Sequence, residues 1–188
     1  MSQRLQAGRP SKPKDERITY LVIAIVMIAS VLLGLLGLPR IGERSARTGA
    51  VAPEFSLPVV SGGDSGSRIS LGAYRDTVVV LDFWATWCAP CAEQARVLEQ
   101  FVAVRPPVEV VGVNQGEDLA VVQAYLAQHP SSYPIVLDTE QRVGDAYGVR
   151  GLPTLVVIDR NGRIAATVSG VISYGRLERL VAEAAASR

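Results

Sequence analysis

A run of apolar, β-prone residues that leads directly into two cysteines constrains the fold more than any other feature. It reads VVVLDFWATWCAPC from Val78 to Cys91 and contains both cysteines of the 188-residue chain. The near-continuous apolar stretch from Thr77 to Trp84 is typical of a strand that is buried on both faces of a sheet. The sequence predicts a helix over Ala89–Val104, so the two cysteines are expected where the strand passes into that helix.

Strand and helix patterns alternate along the rest of the chain. The predicted elements are an edge segment at Ala52–Val59, a helical turn at Ser70–Tyr74, a strand at Val108–Val113, a helix at Glu117–Gln128, a strand at Tyr133–Leu137, a helix at Glu140–Tyr147, a hairpin with strands at Leu155–Asp159 and Arg163–Ser169, and a helix at Ser173–Ala186 with Ser173 as its cap. The Asn161-Gly162 pair between the last two strands is a strong hairpin signal. This order predicts a three-layer α/β/α domain whose central mixed β-sheet is covered on both faces.

A segment of 21 residues without a charge, from Ile18 to Leu38, lies outside this pattern. A helix of that length spans roughly 31 Å, close to the ~30 Å thickness of the hydrocarbon core of a bilayer. The sequence therefore predicts a tail at 1–17, a transmembrane helix at 18–38, a linker at 39–50 and a domain at 51–188. A cleaved signal peptide is the alternative, but the apolar run is long for one and residues 39–43 are a poor small-residue cleavage site.

The charges that flank this segment predict its orientation. Basic residues before it are Arg4, Arg9, Lys12, Lys14 and Arg17, and those just after it are Arg40, Arg44 and Arg47. Because an excess of Lys and Arg favours the cytoplasmic side, we expect the N-terminus in the cytoplasm. The domain at 51–188 is then expected outside the cytoplasm, attached to the cell membrane by a single pass.

Composition excludes several classes of protein. Hydrophobic residues make up 48% of the chain and charged residues 20%, which excludes a disordered chain. The net charge is +1 and the basic residues are scattered, so there is no basic face for nucleic acid. Two cysteines are too few to hold together a small disulfide-rich scaffold, and the fold must therefore rest on a hydrophobic core.

The Cys-x-x-Cys spacing has three possible interpretations. A structural zinc site needs four ligands, and apart from Cys88 and Cys91 the chain has a single histidine, His129, far along the sequence. A static disulfide would close a very short loop and stabilise the fold little. A reversible dithiol is favoured, because the N–H groups and dipole at a helix start stabilise a thiolate on Cys88. Cys91, one turn further, would then resolve a mixed disulfide, so a reversible Cys88–Cys91 disulfide is expected without a metal or other cofactor.

The segment WCAPC at 87–91, preceded by LDFWA at 81–85, resembles the active site of the thioredoxin superfamily. More closely, the chain is similar to the membrane-tethered, extracytoplasmic TlpA/ResA-like thioredoxins. The further matching segments are APEFSL at 52–57, VGVN at 111–114, PIVLD at 134–138 and the cis-proline loop RGLPTL at 150–155. This resemblance covers residues 51–187 and implies a thioredoxin-like fold, with an insertion typical of that branch between about Asn114 and Leu137.

The resemblance also implies a role for several residues. Cys88 would be the attacking nucleophile and Cys91 the resolving thiol. Pro153 would be cis and lie against the cysteines, where it leaves backbone groups such as those of Leu152 free to pair with an extended substrate. Substrate contacts are expected at four residues: Trp87, Pro90, Leu152 and Pro153.

Asp82 is an acid within a strand that is otherwise apolar. It could lie on a solvated edge or pair with a Lys or Arg, or it could be buried with a raised pKa and accept the proton of Cys91. The resemblance favours the last role. Many TlpA/ResA-like proteins carry Glu three residues after the second cysteine and Pro two residues later, where this chain has Gln94 and Arg96. The nearby Glu93 is rotated by about 100° on the helix and need not face the dithiol, so Asp82 is the main candidate proton acceptor.

The resemblance implies an extracytoplasmic thiol–disulfide oxidoreductase that reduces protein disulfides. Its expected substrate is the pair of haem-attachment cysteines of apocytochrome c, during cytochrome c maturation, and a membrane thiol donor would reduce it again. The alternatives are a general protein disulfide oxidoreductase and a peroxiredoxin-like antioxidant, although the usual Thr spacing of a peroxidase is absent. A copper metallochaperone is a further alternative, but His129, Met1 and Met27 are expected to lie outside the site.

Overall fold

The computed structural model describes residues 15–35, 48–63, 66–104 and 107–187. These residues form two separate units, the helix α1 (Asp15–Leu35) and a domain that begins at residue 48. The predicted membrane span overlaps α1, whereas its residues 36–38, most of the predicted tail and most of the linker lie outside the described residues. No helix among the described residues has the length and hydropathy needed to cross a membrane. The anchor stays a prediction.

In the described part of the domain, the elements follow the predicted order. The strands are β1 (Ser56–Ser61), β2 (Arg68–Ser70), β3 (Val78–Trp84), β4 (Val108–Gln115), β5 (Ile135–Asp138), β6 (Thr154–Ile158) and β7 (Ile164–Ser169). The helices are a single 3-10 turn at Leu71–Tyr74, followed by α2 (Ala89–Ala103), α3 (Leu119–Gln128), α4 (Arg142–Tyr147) and α5 (Tyr174–Ala186). The hairpin of β6 and β7 turns at the predicted Asn-Gly pair.

The strands form one mixed sheet in the order β2-β1-β5-β4-β3-β6-β7. β3 pairs in parallel with β4, which pairs in parallel with β5, and the remaining neighbours are antiparallel. Buried side chains of α2, α3 and α5 pack on one face of the sheet, and those of α4 and the 3-10 turn pack on the other. This arrangement confirms the predicted three-layer α/β/α architecture.

β3 lies near the middle of this sheet, and all seven of its residues are buried. Successive side chains of a strand point to opposite faces. Val80 and Trp84 contribute to the core beneath α2, whereas Leu81 and Phe83 contribute to the core on the other face. Asp82 therefore lies on the same face as Val80 and Trp84, towards the helix that carries the cysteines.

Several predicted element bounds differ from the structure by one or two residues, as at the starts of β5 and α4. β1 is an inner strand, because the short β2 pairs along its outer edge. α3 begins at Leu119, two residues later than predicted, and leaves Glu117 in the preceding loop. Ser173 does occupy the N-cap position of α5, but its side chain makes no capping hydrogen bond.

The packing around Gly112 gives a first testable expectation. Gly112 stands opposite Asp82 in the β3–β4 ladder, and a Cβ there would lie 2.5 Å from Ile135 Cδ1 and 3.2 Å from Trp84 Nε1. We expect Gly112→Ala to lower the free energy of unfolding by about 1–3 kcal/mol, because a well-packed core resists added volume. Urea unfolding of the oxidised protein measures this change.

Gly175→Ala is the matched control for that substitution. A Cβ at Gly175, in the first turn of α5, meets no atom within 4 Å. Its free energy of unfolding should therefore stay unchanged or rise by up to ~1 kcal/mol, since Ala is the better helix former. Equal destabilisation by both substitutions would show that the space around Gly112 is not the cause.

Candidate active site

The two cysteines lie at the junction between β3 and α2. Cys88 is the N-cap residue of α2, with an extended backbone, and Cys91 lies in the first turn. The two form a disulfide with a Cα–Cα distance of 5.2 Å, and both are largely buried. Pro90 also lies in the first turn of α2. Proline suits this position, because backbone N–H groups in the first turn of a helix have no partner within the helix and the missing N–H of proline costs no hydrogen bond. Cys88 thus lies at the helix start, where the sequence predicts it, and its side chain makes no capping hydrogen bond within the described residues.

The loop before β6 contains a cis peptide bond between Leu152 and Pro153. Pro153 is buried, and its carbonyl oxygen accepts a hydrogen bond from the N–H of Gly170 at 2.8 Å. The half-buried Leu152 packs against the core cluster that includes both cysteines. The cis bond expected from the resemblance is therefore present, next to the core that holds the dithiol.

Trp87 lies in the loop before Cys88 and is 72% exposed. A large apolar ring in water, beside two buried sulfur atoms, offers a flat surface that a substrate segment can cover. Pro90 is also exposed, on the first turn of α2. The predicted substrate contacts of both residues stay predictions, and their positions at the surface of the dithiol loop fit them.

Asp82 is only 1% exposed, and its Oδ1 atom has no hydrogen-bond partner within the part of the chain that the structure describes. Burial raises the pKa of this carboxyl from its usual 3.8 to about 7, because a charged group loses its hydration in the interior. The alternative of a solvated edge position is therefore wrong. At neutral pH the group titrates between a carboxylic acid and a carboxylate.

A cavity of about 190 Å³ connects this carboxyl with the second cysteine. Its lining includes Asp82, Trp84 and Cys91 at one end, and residues of α2, α3 and the segment before β5 form the walls. Within it, the ring of Trp84 lies 5.5 Å from that of Tyr125, centroid to centroid. The acid and the resolving thiol thus line the same cavity.

His129 also lines this cavity, which corrects the expectation that it lies outside the site. It is exposed, and its ring stacks on that of Tyr125 with a centroid distance of 4.4 Å. Sequence separation is misleading here, because residues of α3 line the same space as residues of α2. In the described part of the chain, no group of three or more His, Cys, Asp or Glu side chains is placed to hold a metal ion.

Gln94 and Glu93 of α2 differ sharply in their surroundings. Glu93 is exposed, as its position on the helix indicates, and so is Arg96. Gln94 is fully buried, and its Oε1 accepts a hydrogen bond from the N–H of Ile172 at 2.9 Å. The residue that replaces the expected Glu therefore joins α2 to the loop after β7, and Asp82 is the buried acid of the site.

Two residues near the dithiol escaped the sequence reasoning. The first is Tyr133, whose hydroxyl pKa is raised by burial and further by the charges of Asp82 and Glu99. Tyr133 lines the cavity. In the sequence, nothing distinguishes it from the other residues of the predicted strand.

The second is Glu117, in the loop between β4 and α3. Its carboxylate accepts hydrogen bonds from the N–H and the hydroxyl of Thr86, at 2.7 and 2.5 Å, and from Asn114 Nδ2 at 2.7 Å. Thr86 belongs to the loop that carries Cys88. The only signal in the sequence was an acid at the junction of a strand and a helix, and assignment of Glu117 to the helix hid it.

Comparisons with known proteins agree with this geometry. Residues 48–167 match the AhpC/TSA family. The thiol-disulfide oxidoreductase ResA of Bacillus subtilis is 32% identical over 164 residues, which cover 85% of this chain and 89% of that protein. The ResA of Halalkalibacterium halodurans is 32% identical over 168 residues, 87% of this chain and 91% of that protein. The crystal structure of a thioredoxin-family thiol:disulfide interchange protein from Chlorobium tepidum superposes with a TM-score of 0.62 at 28% identity, over 74% of this chain and 97% of that one. The thioredoxin-like fold is thereby confirmed.

The raised pKa of Asp82 predicts how stability depends on pH. The unfolded carboxyl ionises near pH 3.8 and the folded one near pH 7, so the contribution of Asp82 is fully present below pH 3.8 and is lost as pH rises through 7. Relative to the Asp82→Asn variant, wild type should therefore lose on the order of 3–4 kcal/mol of unfolding free energy between pH 4 and pH 8. Denaturant unfolding of both oxidised proteins at the two pH values measures this difference. Parallel pH profiles for the two proteins would refute the raised pKa.

Proposed function

This chain belongs to the AhpC/TSA family and is a thiol–disulfide oxidoreductase of the ResA type, and we propose that it reduces protein disulfides outside the cytoplasm. The observation that carries this function is the Cys88–Cys91 pair at a helix start, with the buried Asp82 in the same cavity as Cys91. Cys88 at the helix start is the nucleophile, and the buried Asp82 is the proton acceptor. Both are needed to pass two electrons from a dithiol to a disulfide.

In the first step, the thiolate of Cys88 attacks one sulfur of the substrate disulfide. A bond forms between Cys88 and that sulfur, and the substrate's second sulfur leaves as a thiolate. The N–H groups in the first turn of α2 favour the thiolate form of Cys88 over the thiol. The product of this step is a mixed disulfide between protein and substrate.

In the second step, the carboxylate of Asp82 accepts the proton of Cys91. The thiolate of Cys91 then attacks the sulfur of Cys88, which forms the disulfide seen in the structure and releases the substrate sulfur as a thiolate. The substrate leaves with both sulfur atoms reduced, and two electrons have moved from protein to substrate. A pKa of about 7 suits Asp82 to this step, because proton transfer is most efficient when the pKa of the acceptor is close to the working pH.

We assign substrate contacts to the surface around the dithiol. An extended segment of the substrate would lie along Leu152 and Pro153, pair with backbone groups of that loop, and cover the exposed ring of Trp87 and the neighbouring Pro90. Main-chain pairing is tolerant of sequence, so these contacts suit a protein substrate rather than a small molecule.

The substrate we propose is apocytochrome c, whose Cys-x-x-Cys-His segment must be reduced before haem is attached. Support comes from the similarity of the chain to TlpA/ResA-like thioredoxins. The oxidised protein would be reduced again by a thiol donor in the membrane. A reductase of this kind needs a donor that has access to cytoplasmic electrons, because the space outside the cytoplasm is oxidising.

We further propose that residues 18–38 anchor the domain in the cell membrane, with the N-terminus in the cytoplasm. The length of the uncharged segment and the basic residues before it support this placement. The apolar side chains that α1 exposes between Ile18 and Ile28 also support it, since a solvent-exposed helix rarely presents such a surface. An anchor would keep the dithiol close to membrane-bound partners and raise their effective concentration.

Trapping of the mixed disulfide tests this function. The Cys91→Ser variant of the full-length chain, expressed in the cells that encode it, should remain covalently bound to its substrate through Cys88, because the resolving thiol is missing. We expect mass spectrometry of the trapped adducts to identify proteins that carry Cys-x-x-Cys-His. The double variant Cys88→Ser, Cys91→Ser is the control and should trap nothing. Adducts without that motif contradict the cytochrome substrate, and adducts with cytoplasmic proteins contradict the placement outside the cytoplasm.

The proton-transfer role of Asp82 predicts a kinetic defect. In Asp82→Asn, resolution of a mixed disulfide with a model peptide should slow by about tenfold to a hundredfold at pH 7, because Cys91 loses its proton acceptor. The rate in wild type should rise as pH approaches 7, and this rise should be absent from the variant. Stopped-flow Trp fluorescence measures the rate. Glu93→Gln, which removes an exposed acid of the same helix, should leave the rate unchanged. Resolution at the wild-type rate in Asp82→Asn would exclude the role.

A further inference from the structure

We propose that Glu117 is a positioning residue of the dithiol site and favours the disulfide over the dithiol. Its carboxylate accepts three hydrogen bonds, two from Thr86 and one from Asn114. Thr86 is two residues before Cys88, in the loop that leads from β3 to α2. Glu117 therefore joins the loop that carries the nucleophile to the end of a neighbouring strand.

The contacts with Thr86 fix both its backbone and its side chain. Glu117 Oε2 accepts from the Thr86 N–H at 2.7 Å, and Oε1 accepts from the hydroxyl at 2.5 Å. Hydrogen bonds to a carboxylate are shorter and stronger than those between neutral groups. Two such bonds on one residue leave little freedom for the backbone that enters Cys88.

The contact with Asn114 ties this loop to the sheet. Asn114 is fully buried and stands opposite Trp84 in the β3–β4 ladder. Its Nδ2 donates to the same Oε2 atom that holds the Thr86 N–H. The position of Thr86 is thus set from β4, independently of the strand that leads into it.

Backbone hydrogen bonds of this loop extend the restraint on Thr86 to the cysteines. The N–H of Cys88 donates to the carbonyl oxygen of Ala85 at 3.2 Å, and the N–H of Cys91 donates to that of Cys88 at 3.0 Å. Thr86 lies between Ala85 and Cys88, so a fixed Thr86 also fixes the turn that places Cys88 against Cys91. Without Glu117, Cys88 would sample a larger volume.

A dithiol closes to a disulfide more readily when one thiol is held near the other, because the effective concentration of the attacking group is higher. Loss of the Glu117 contacts should lower that effective concentration and shift the equilibrium towards the dithiol. A contact that stabilised the oxidised and reduced folds equally would leave the equilibrium unchanged. Glu117 should have this effect whichever protein is the substrate.

Three variants distinguish an effect of the position of Thr86 from an effect of the negative charge of Glu117. Glu117→Ala removes all three hydrogen bonds. Glu117→Gln removes only the charge, because the amide oxygen can accept from the Thr86 N–H and from Asn114, while the amide NH₂ can donate to the Thr86 hydroxyl. Thr86→Val removes the hydroxyl bond and leaves the backbone bond and the carboxylate in place.

The measurement is the equilibrium constant between the dithiol and disulfide forms of the full-length chain, purified in detergent, in glutathione buffers. We expect Glu117→Ala to shift it towards the dithiol by about fivefold or more and Thr86→Val by about twofold, in proportion to the bonds lost. Glu117→Gln keeps the geometry of the three bonds but weakens them, so it should shift the constant less than Glu117→Ala does. Thermal unfolding of each variant in both redox forms reports on the fold, and Thr86→Val carries the comparison if Glu117→Ala does not fold.

Two results would overturn the role of Glu117. One is an unchanged constant in Glu117→Ala and Thr86→Val, with equal loss of thermal stability in both redox forms, because Glu117 would then support the fold alone. The other is a shift in Glu117→Gln as large as in Glu117→Ala, because charge and not position would then be responsible. A strongly oxidising wild-type constant instead contradicts the reductase function proposed above and leaves the comparison among variants intact.

Discussion

Burial of Asp82 costs free energy whenever its carboxyl group is charged, because no described residue forms a hydrogen bond with Oδ1 and the strand around it is apolar. A cost on the order of 3–4 kcal/mol at high pH is a large part of the 5–15 kcal/mol that holds a typical domain together. Other interactions in the structure have to compensate for this free-energy cost. β3 does so by lying inside the sheet, between β4 and β6, where its other residues belong to two hydrophobic cores.

The same strand fixes the position of the chemistry. It ends at Trp84, and within four residues the chain reaches the N-cap of α2, so the sheet dictates where Cys88 can lie. The cis bond at Pro153 begins β6, the antiparallel neighbour of β3. The dithiol and the cis-proline loop are thus placed by adjacent strands, and the helix contributes its N–H groups. Each component depends on the register of β3.

Much of this could be read from local sequence patterns. The long apolar run predicted β3, the Asn-Gly pair predicted the final hairpin, and the spacing of the two cysteines at a helix start predicted the reactive pair. These features depend on neighbours in the chain. Asp82 was recognised because an acid within an apolar strand conflicts with its surroundings.

The features that were missed depend on neighbours in space. Glu117 was assigned to a helix because its pattern continues into Leu119, and only the folded loop shows that it binds Thr86. His129 and Tyr133 are distant from the cysteines in sequence, yet both line the cavity that also has residues of α2 and α3 in its walls. The segment at Ala52–Val59 was expected at an edge because it contains Pro53 and Pro58, and the pairing of β2 along β1 could not be inferred from the three residues of β2.

The contact between Gly112 and its neighbours has a consequence for how such a sequence can change over time. A Cβ at Gly112 would lie 2.5–3.3 Å from side-chain atoms of Trp84, Tyr133 and Ile135, which would have to shift to admit it. A larger residue at 112 would therefore displace these side chains, and a smaller residue at 133 or 135 would relieve that displacement. Because the side chains of Trp84, Tyr133 and Ile135 also line the cavity that Asp82 shares with Cys91, a change of size at 112 would alter the shape of that cavity without touching the dithiol itself.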